Sequence, residues 1–351
     1  MTGFFGSYLF AWIFWLSLSL GCLGLLLLHQ LFRAAWGRAV LPVLEAGARS
    51  LPIMAVLFLP ILIWGMGDLY PWVHGGDAID AHRAPYLNMP FFLIRAAFYF
   101  IFWVGVSSYL IGLRRRERLT GDVSLAQRRT NVSAPSLVLF VLTVTFAMTD
   151  WVMSTEHHWF STIYGVWFVT GQALSAVAIA ALWWRKRQET AAPMQEADFP
   201  ISRDLGNLLL AFTMMWAYIS LSQFLIIWSA NLPEETTFYL RRSGHGWDVA
   251  GALLIVGQFM IPFLALLSGK TKRSPVMLSR VAGWILAMRV LDIYWIVMPS
   301  VREGGVLPAA TDVLTFAGIG IIWLVGFVRA LRGALPDEAD VATAAEAPSH
   351  A

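Results

Sequence analysis

Residues 204–242 read DLGNLLLAFTMMWAYISLSQFLIIWSANLPEETTFYLRR. From Leu205 to Ala230 there is no formal charge. At 1.5 Å per residue, a helix of that length crosses a bilayer core of about 30 Å. The stretch is not apolar all round. Tyr218, Ser222 and Ser229 share one helical face by i, i+4, i+11 spacing, and Ser220 and Gln223 share another. Polar groups turned toward lipid would lack partners, so both faces are expected to meet other helices or water. Asn231 and Pro233 end the span, and Glu234, Glu235, Arg241 and Arg242 crowd the loop that follows. Two readings stay open for the polar stripes: packing contacts between helices, or a lining for protons or a polar ligand.

The rest of the chain has the same character. Of 351 residues, 58% are hydrophobic and 13% are charged; a soluble domain carries about 25% charged residues. The fold class is therefore all-α, a polytopic transmembrane helical protein. The single cysteine, Cys22, lies within an apolar run. That excludes a disulfide framework, a Cys-ligated iron–sulfur cluster and a CxxCH haem attachment. The formal charge of +3 is what basic cytoplasmic loops produce, and no nucleic-acid partner is expected. Phe4 to Leu28 lacks a basic leading region and is long enough to span, so it reads as a span rather than a cleaved leader.

Hydropathy gives nine spans, at 4–28, 51–69, 90–113, 135–154, 160–184, 205–230, 247–268, 276–298 and 311–331. Most of the 25 Lys and Arg fall on one side, in loops 29–50, 114–134 and 185–204, around Lys270–Arg280, and at Arg329 and Arg332. The opposite loops hold only Arg83, Arg241, Arg242 and Arg302. The positive-inside rule then places the N-terminus outside and the C-terminus in the cytoplasm. Loop 29–50 reads either as an interfacial amphipathic segment lying on lipid or as an ordinary connector. The tail from Leu335 is rich in Ala, Asp, Glu and Pro, and disorder is expected there.

Four charges fall inside spans: Arg95, Asp150, Arg289 and Asp292. An ion within the membrane is costly unless paired, which makes these residues functional candidates. Arg289 and Asp292, at i, i+3, can pair locally. Arg95 has no acid in its own span, and Asp150 is the natural partner across helices. Such pairs could equally serve only to hold helix register. Thr143, Asp150, Ser154 and His157 share a face that runs out to Glu156, His157 and His158. Carboxylate, hydroxyl and imidazole along one face are what a proton relay needs. His157 and His158 are adjacent and point to different faces, so they do not make a helix-face metal or haem site. Spans four and eight each carry an Asp near the outer end with a Trp close behind, at Asp150–Trp151 and at Asp292 with Trp295. Their spacing suggests two four-helix bundles, at 1–158 and 159–300, with a peripheral helix at 301–334 and a tail at 335–351.

Four segments together resemble a known family: the 204–242 stretch, AHRAPYLNMPFFLIRAAFYF, FAMTDWVMSTEHHWFSTIYG and MRVLDIYWIVMP. They are similar to the smaller of two related NrfD-like membrane subunits of bacterial alternative complex III. That complex is a quinol:cytochrome c oxidoreductase, and the subunit belongs to the polysulfide-reductase membrane-anchor superfamily. The resemblance covers most of residues 20–300. It implies two four-helix bundles in the bacterial inner membrane, with no redox cofactor in this subunit. It implies quinol, menaquinol or ubiquinol, as the reductant, and a lining for a quinol site and a proton-conducting path. The implied partners are the larger NrfD-like subunit, an iron–sulfur subunit, multihaem and monohaem cytochrome c subunits and a terminal oxidase, besides membrane lipids. The implied polar positions are Asp150, Glu156, His157, Tyr218, Ser222, Gln223, Arg289 and Asp292. Family members carry one more helix upstream. Many also have His where Gln258 stands in GQFMIPF; Gln hydrogen-bonds but carries no titrating proton.

From a different class, a secondary transporter with a polar site inside the bundle is the alternative. Transporters commonly break matched helices in their two halves, and no two matching spans are interrupted midway by Gly or Pro. No HExxH or GxSxG pattern within the spans points to an intramembrane enzyme.

Overall fold

The computed structural model describes residues 2–74, 83–156, 159–190 and 198–334. Among them, nine helices are long and apolar enough to cross a membrane, and there is no strand. They are α1 (Gly3–Phe32), α2 (Ala35–Leu69), α3 (Met89–Thr120), α4 (Ser124–Thr155), α5 (Tyr164–Glu189), α6 (Pro200–Ala230), α7 (Trp247–Leu267), α8 (Pro275–Val301) and α9 (Ala310–Arg332). The protein is an all-α, polytopic membrane protein. The expected disorder of the tail from Leu335 concerns residues outside those described.

Segment 29–50 is neither an interfacial helix nor a loop. The chain reverses at Arg33, in left-handed backbone with φ 48°, and Ala35–Arg49 is already the first half of α2. Its amphipathicity is real, but the apolar side faces protein. Val40, Val43, Leu44, Ala46 and Ala48 are fully buried, packed mainly against α1, α5 and α9. Glu45, the one acid of the segment, is buried against Arg114 at 2.6 Å. The remaining length of α2 stays antiparallel to α1. Trp12 Nε1 donates to the Met54 carbonyl at 2.9 Å, and Tyr8 to that of Leu57 at 2.8 Å.

The other basic loops shrink for a related reason. Arg and Glu are good helix formers, so α3 continues through its arginines to Thr120. It stops where Gly121 adopts φ 69° and returns its N–H to the Glu117 carbonyl at 2.8 Å. α4 begins at Ser124. At 32 residues, α3 is longer than a bilayer core of about 30 Å requires, which is why hydropathy alone truncates it.

Two spans contain a π-helical segment, Ile61–Gly65 in α2 and Ile255–Met260 in α7. Pro60 and Pro262 lie beside them; each lacks the N–H that would close the regular ladder. In α7 the Gly257 carbonyl is taken by Trp284 Nε1 at 2.7 Å.

α1 is the most enclosed helix, packing against α2, α4, α5, α8 and α9. α5 packs against α4, α6 and α8. α9 lies along α1 and α2, fastened where Trp15 Nε1 meets the Phe316 carbonyl (3.0 Å) and Trp323 Nε1 meets Ser19 Oγ (2.8 Å). On α1, Trp12 packs against Trp151 of α4 and Phe10 against Tyr294 of α8. This brings Asp150 and Asp292 to within about one helical turn of the same level along α1.

Candidate functional site

Asp150 is fully buried on α4, facing α3. Arg95 grips it with two bonds, Nε to Oδ2 at 2.9 Å and Nη2 to Oδ1 at 2.8 Å. Tyr99 donates its hydroxyl to Oδ2 at 2.9 Å. The third arm of Arg95 reaches the Tyr86 carbonyl at 2.9 Å. The guanidinium carbon lies 3.8 Å from the Tyr86 ring centre and 4.3 Å from that of Phe91. Both oxygens of Asp150 are thus engaged, and the cation is spread over aromatic faces. Tyr86 precedes α3, and its phenol is pushed above the usual range by burial and by the nearby Asp150 charge. Thr143 and Ser154, on the same face of α4, accept indole N–H groups from Trp103 (2.9 Å) and Trp72 (3.3 Å).

Asp292 is arranged differently. Arg289, one turn earlier on α8, contacts Oδ2, and Trp216 of α6 donates to the same oxygen at 3.1 Å. Arg289 Nε also meets Ser175 Oγ of α5 at 3.3 Å. Room for the guanidinium comes from Gly171: a Cβ there would stand 2.3 Å from Nη2. Asp292 Oδ1 is buried with no partner. Thr213 Oγ1 on α6 and both amide atoms of Gln258 on α7 are also buried without partners. Gly251 faces Trp295 and Gly257 faces Met288. That register puts Gln258 roughly one and a half turns from Asp292, toward the end rich in basic residues.

A third ion pair closes the opposite end of the bundle. Glu156, just past the short turn Met153–Thr155, accepts from Arg242 Nη1 at 3.2 Å and from the Ser300 hydroxyl. Arg242 is only 3% exposed. It also donates to the carbonyls of Phe238 (2.6 Å), Trp295 (3.0 Å) and Ile296 (2.6 Å). The Trp295 carbonyl would ordinarily accept from residue 299, which is proline and has no N–H. Arg242 supplies the missing donor. Its guanidinium lies 3.5 Å from the centre of the Phe238 ring. Burial holds the Arg242 pKa below its usual value, and the Glu156 charge opposes that only in part.

The remaining candidates separate. Tyr218 is 68% exposed on the outer face of α6, Ser222 is half-buried beside it, and neither reaches the buried carboxylates. Gln223 is buried on another face and accepts from Ser161. His157 lies outside the described residues.

Sequence reasoning missed Tyr99, Trp216 and Ser175, which carry no charge to mark them. It placed Arg242 and Arg302 among ordinary loop residues. Arg302 instead bonds Asp312 at 2.9 Å, and Asp312 also accepts from Ser7 (2.5 Å), Tyr294 (3.1 Å) and the Ala309 N–H (2.7 Å). An acid in the first turn of an apolar helix was the available signal for Asp312. Among the described residues, no three His, Cys, Asp or Glu gather as metal ligands.

No protein-family model matches the chain, and no curated protein matches it significantly.

Proposed function

We propose that the chain is an integral subunit of a bacterial quinol-oxidising respiratory complex of the alternative complex III kind, and that Asp292 relays protons in it. In this reading it carries no redox cofactor, has its N-terminus outside, and sits in the inner membrane beside the larger NrfD-like, iron–sulfur and cytochrome c subunits. The four resembling segments support the family. The observation that carries the relay is the asymmetry of Asp292: one oxygen held by Arg289 and Trp216, the other buried without a partner.

A carboxylate with one free oxygen can accept and release a proton there while the other oxygen keeps its bonds. Asp150, with both oxygens bonded, lacks that freedom and acts as a structural clamp. Thr213 and Gln258 extend the line of unpartnered polar groups from Asp292 toward the basic end. Buried polar atoms of this kind are commonly satisfied by ordered water. Gln258 can orient water but cannot itself change charge, so protons would pass it on water alone. Quinol, menaquinol or ubiquinol, supplies the electrons and protons, and the electrons leave through the partner subunits.

Purification through a tag on this chain, from the native membrane, tests both parts. Haem-bearing subunits should co-purify and oxidise quinol. D292N should leave the complex assembled and lower quinol-driven proton release about a hundredfold or more, the range general acid–base groups contribute. D150N should reduce assembly. A chain recovered alone and without associated haem would overturn the family reading; D292N with full proton release would overturn the relay.

A further inference from the structure

α5, α7 and α8 reach the basic end of the molecule around an open pocket of about 580 Å³, a size typical of small-ligand sites. Arg185 and Gln188 from the end of α5, Lys270 and Arg273 from the short helix Gly269–Arg273, and Ser274 and Val276 at the start of α8 line it. Among the described residues, no carboxylate pairs with Lys270 or Arg273. Lys272, which does not line the pocket, bonds Asn207 at 2.9 Å. Arg185 pairs with Glu189 at 2.7 Å, but both side chains are partly exposed, so water screens that pair. Among the described residues, three cations against one screened carboxylate leave the pocket positive.

Its position limits what an anion there can be. α7 ends at Leu267 and α8 begins at Pro275, so the pocket stands where spans leave the bilayer. Immediately on the bilayer side, Leu264, Leu267, Val276 and Met277 are exposed. A cationic pocket above an apolar outer surface matches a molecule with an anionic head and hydrocarbon chains. Free phosphate would use only the upper half. Basic pockets between spanning helices are suited to anionic headgroups.

We propose that this pocket binds the headgroup of an anionic phospholipid, with Lys270 and Arg273 on the phosphate, Arg185 at its rim, and the acyl chains along Leu264, Leu267 and Met277. The site is separate from Asp292 and does not depend on the proposed respiratory role. Native mass spectrometry of the full chain in mild detergent tests it, with phosphatidylglycerol and phosphatidylcholine offered in turn. Phosphatidylglycerol should be retained preferentially, and K270Q/R273Q should weaken retention roughly tenfold or more, as loss of two interfacial charges implies. R115Q/R116Q removes the same charge from exposed positions at the end of α3 and should retain lipid like the parent. If the double variant does not fold, single K270Q and R273Q are read in the same way, each with a loss of roughly fivefold. Equal retention of the two lipids, or undiminished retention by the variants, would overturn the proposal. So would complete displacement of phosphatidylglycerol by millimolar inorganic phosphate, which would mark a free-anion site.

Discussion

Trp216 donates its indole N–H to Asp292 Oδ2 at 3.1 Å, on the same oxygen that Arg289 contacts. One edge of the carboxylate is thereby committed and the other left open. W216F removes the donor together with part of a buried ring. Hydrogen bonds to charged groups contribute about 1.5–3 kcal/mol, and W216F should lower resistance to detergent unfolding by that order. In a D292N background the same change should cost at least about 1 kcal/mol less. Equal costs in both backgrounds would show that Trp216 acts only by packing.

G171A tests how tightly α5 approaches α8. The added methyl would collide with Arg289, and overpacking of this kind costs about 1–3 kcal/mol. G105A is the control, because a Cβ at Gly105 meets nothing within 4 Å; it should be neutral or stabilise by up to about 1 kcal/mol. Similar unfolding midpoints for the two variants would contradict this account of the Arg289 position.

R242Q should be among the most damaging single changes at the end opposite the basic residues. It strips Glu156 of its cation and the Phe238, Trp295 and Ile296 carbonyls of a donor. Breaking a buried pair costs about 3–5 kcal/mol. P299A returns an N–H to the Trp295 carbonyl, so R242Q should cost less in that background. A double-mutant cycle on thermal unfolding measures the difference, and strict additivity would refute the carbonyl-capping role.

A reporter joined after Leu331 should signal from the cytoplasm, because α9 ends at Arg329 and Arg332 on the side that holds most basic residues. A periplasmic signal would reverse the orientation. The isolated chain should also show no haem absorbance; a stoichiometric Soret band would overturn the proposal that it carries no redox cofactor.

Much of this architecture is legible in the residues. Nine apolar runs give nine spanning helices among the described residues, and Arg95 with Asp150 and Arg289 with Asp292 are visible as charges that need partners inside a membrane. What escapes is set by tertiary packing. Ala35–Arg49 has the pattern of a surface helix, and nothing local tells that its apolar side is covered by α1, α5 and α9. Tyr218 and Gln223 sit five positions apart on one polar-striped span, yet one is 68% exposed and the other 3%. The spacing separated their faces but could not say which was turned inward. Arg242 was hidden because its role depends on Pro299 of a different helix. The unpartnered oxygen of Asp292 is a matter of which atoms arrive from α6 and α8, and no spacing rule reports that.

Among the described spans, the first and the last close on each other. Ser7 bonds Asp312, the Ser7 carbonyl accepts from Thr315, and Trp323 reaches back to Ser19. During synthesis α1 therefore enters the bilayer well before its partner α9 exists. Its serines and its face for α9 stay turned to lipid, or to a chaperone, while the intervening spans are threaded. Docking of α9 is then a late step of biogenesis, and a ribosome stalled before residue 310 would leave α1 half-clothed and open to quality-control proteases.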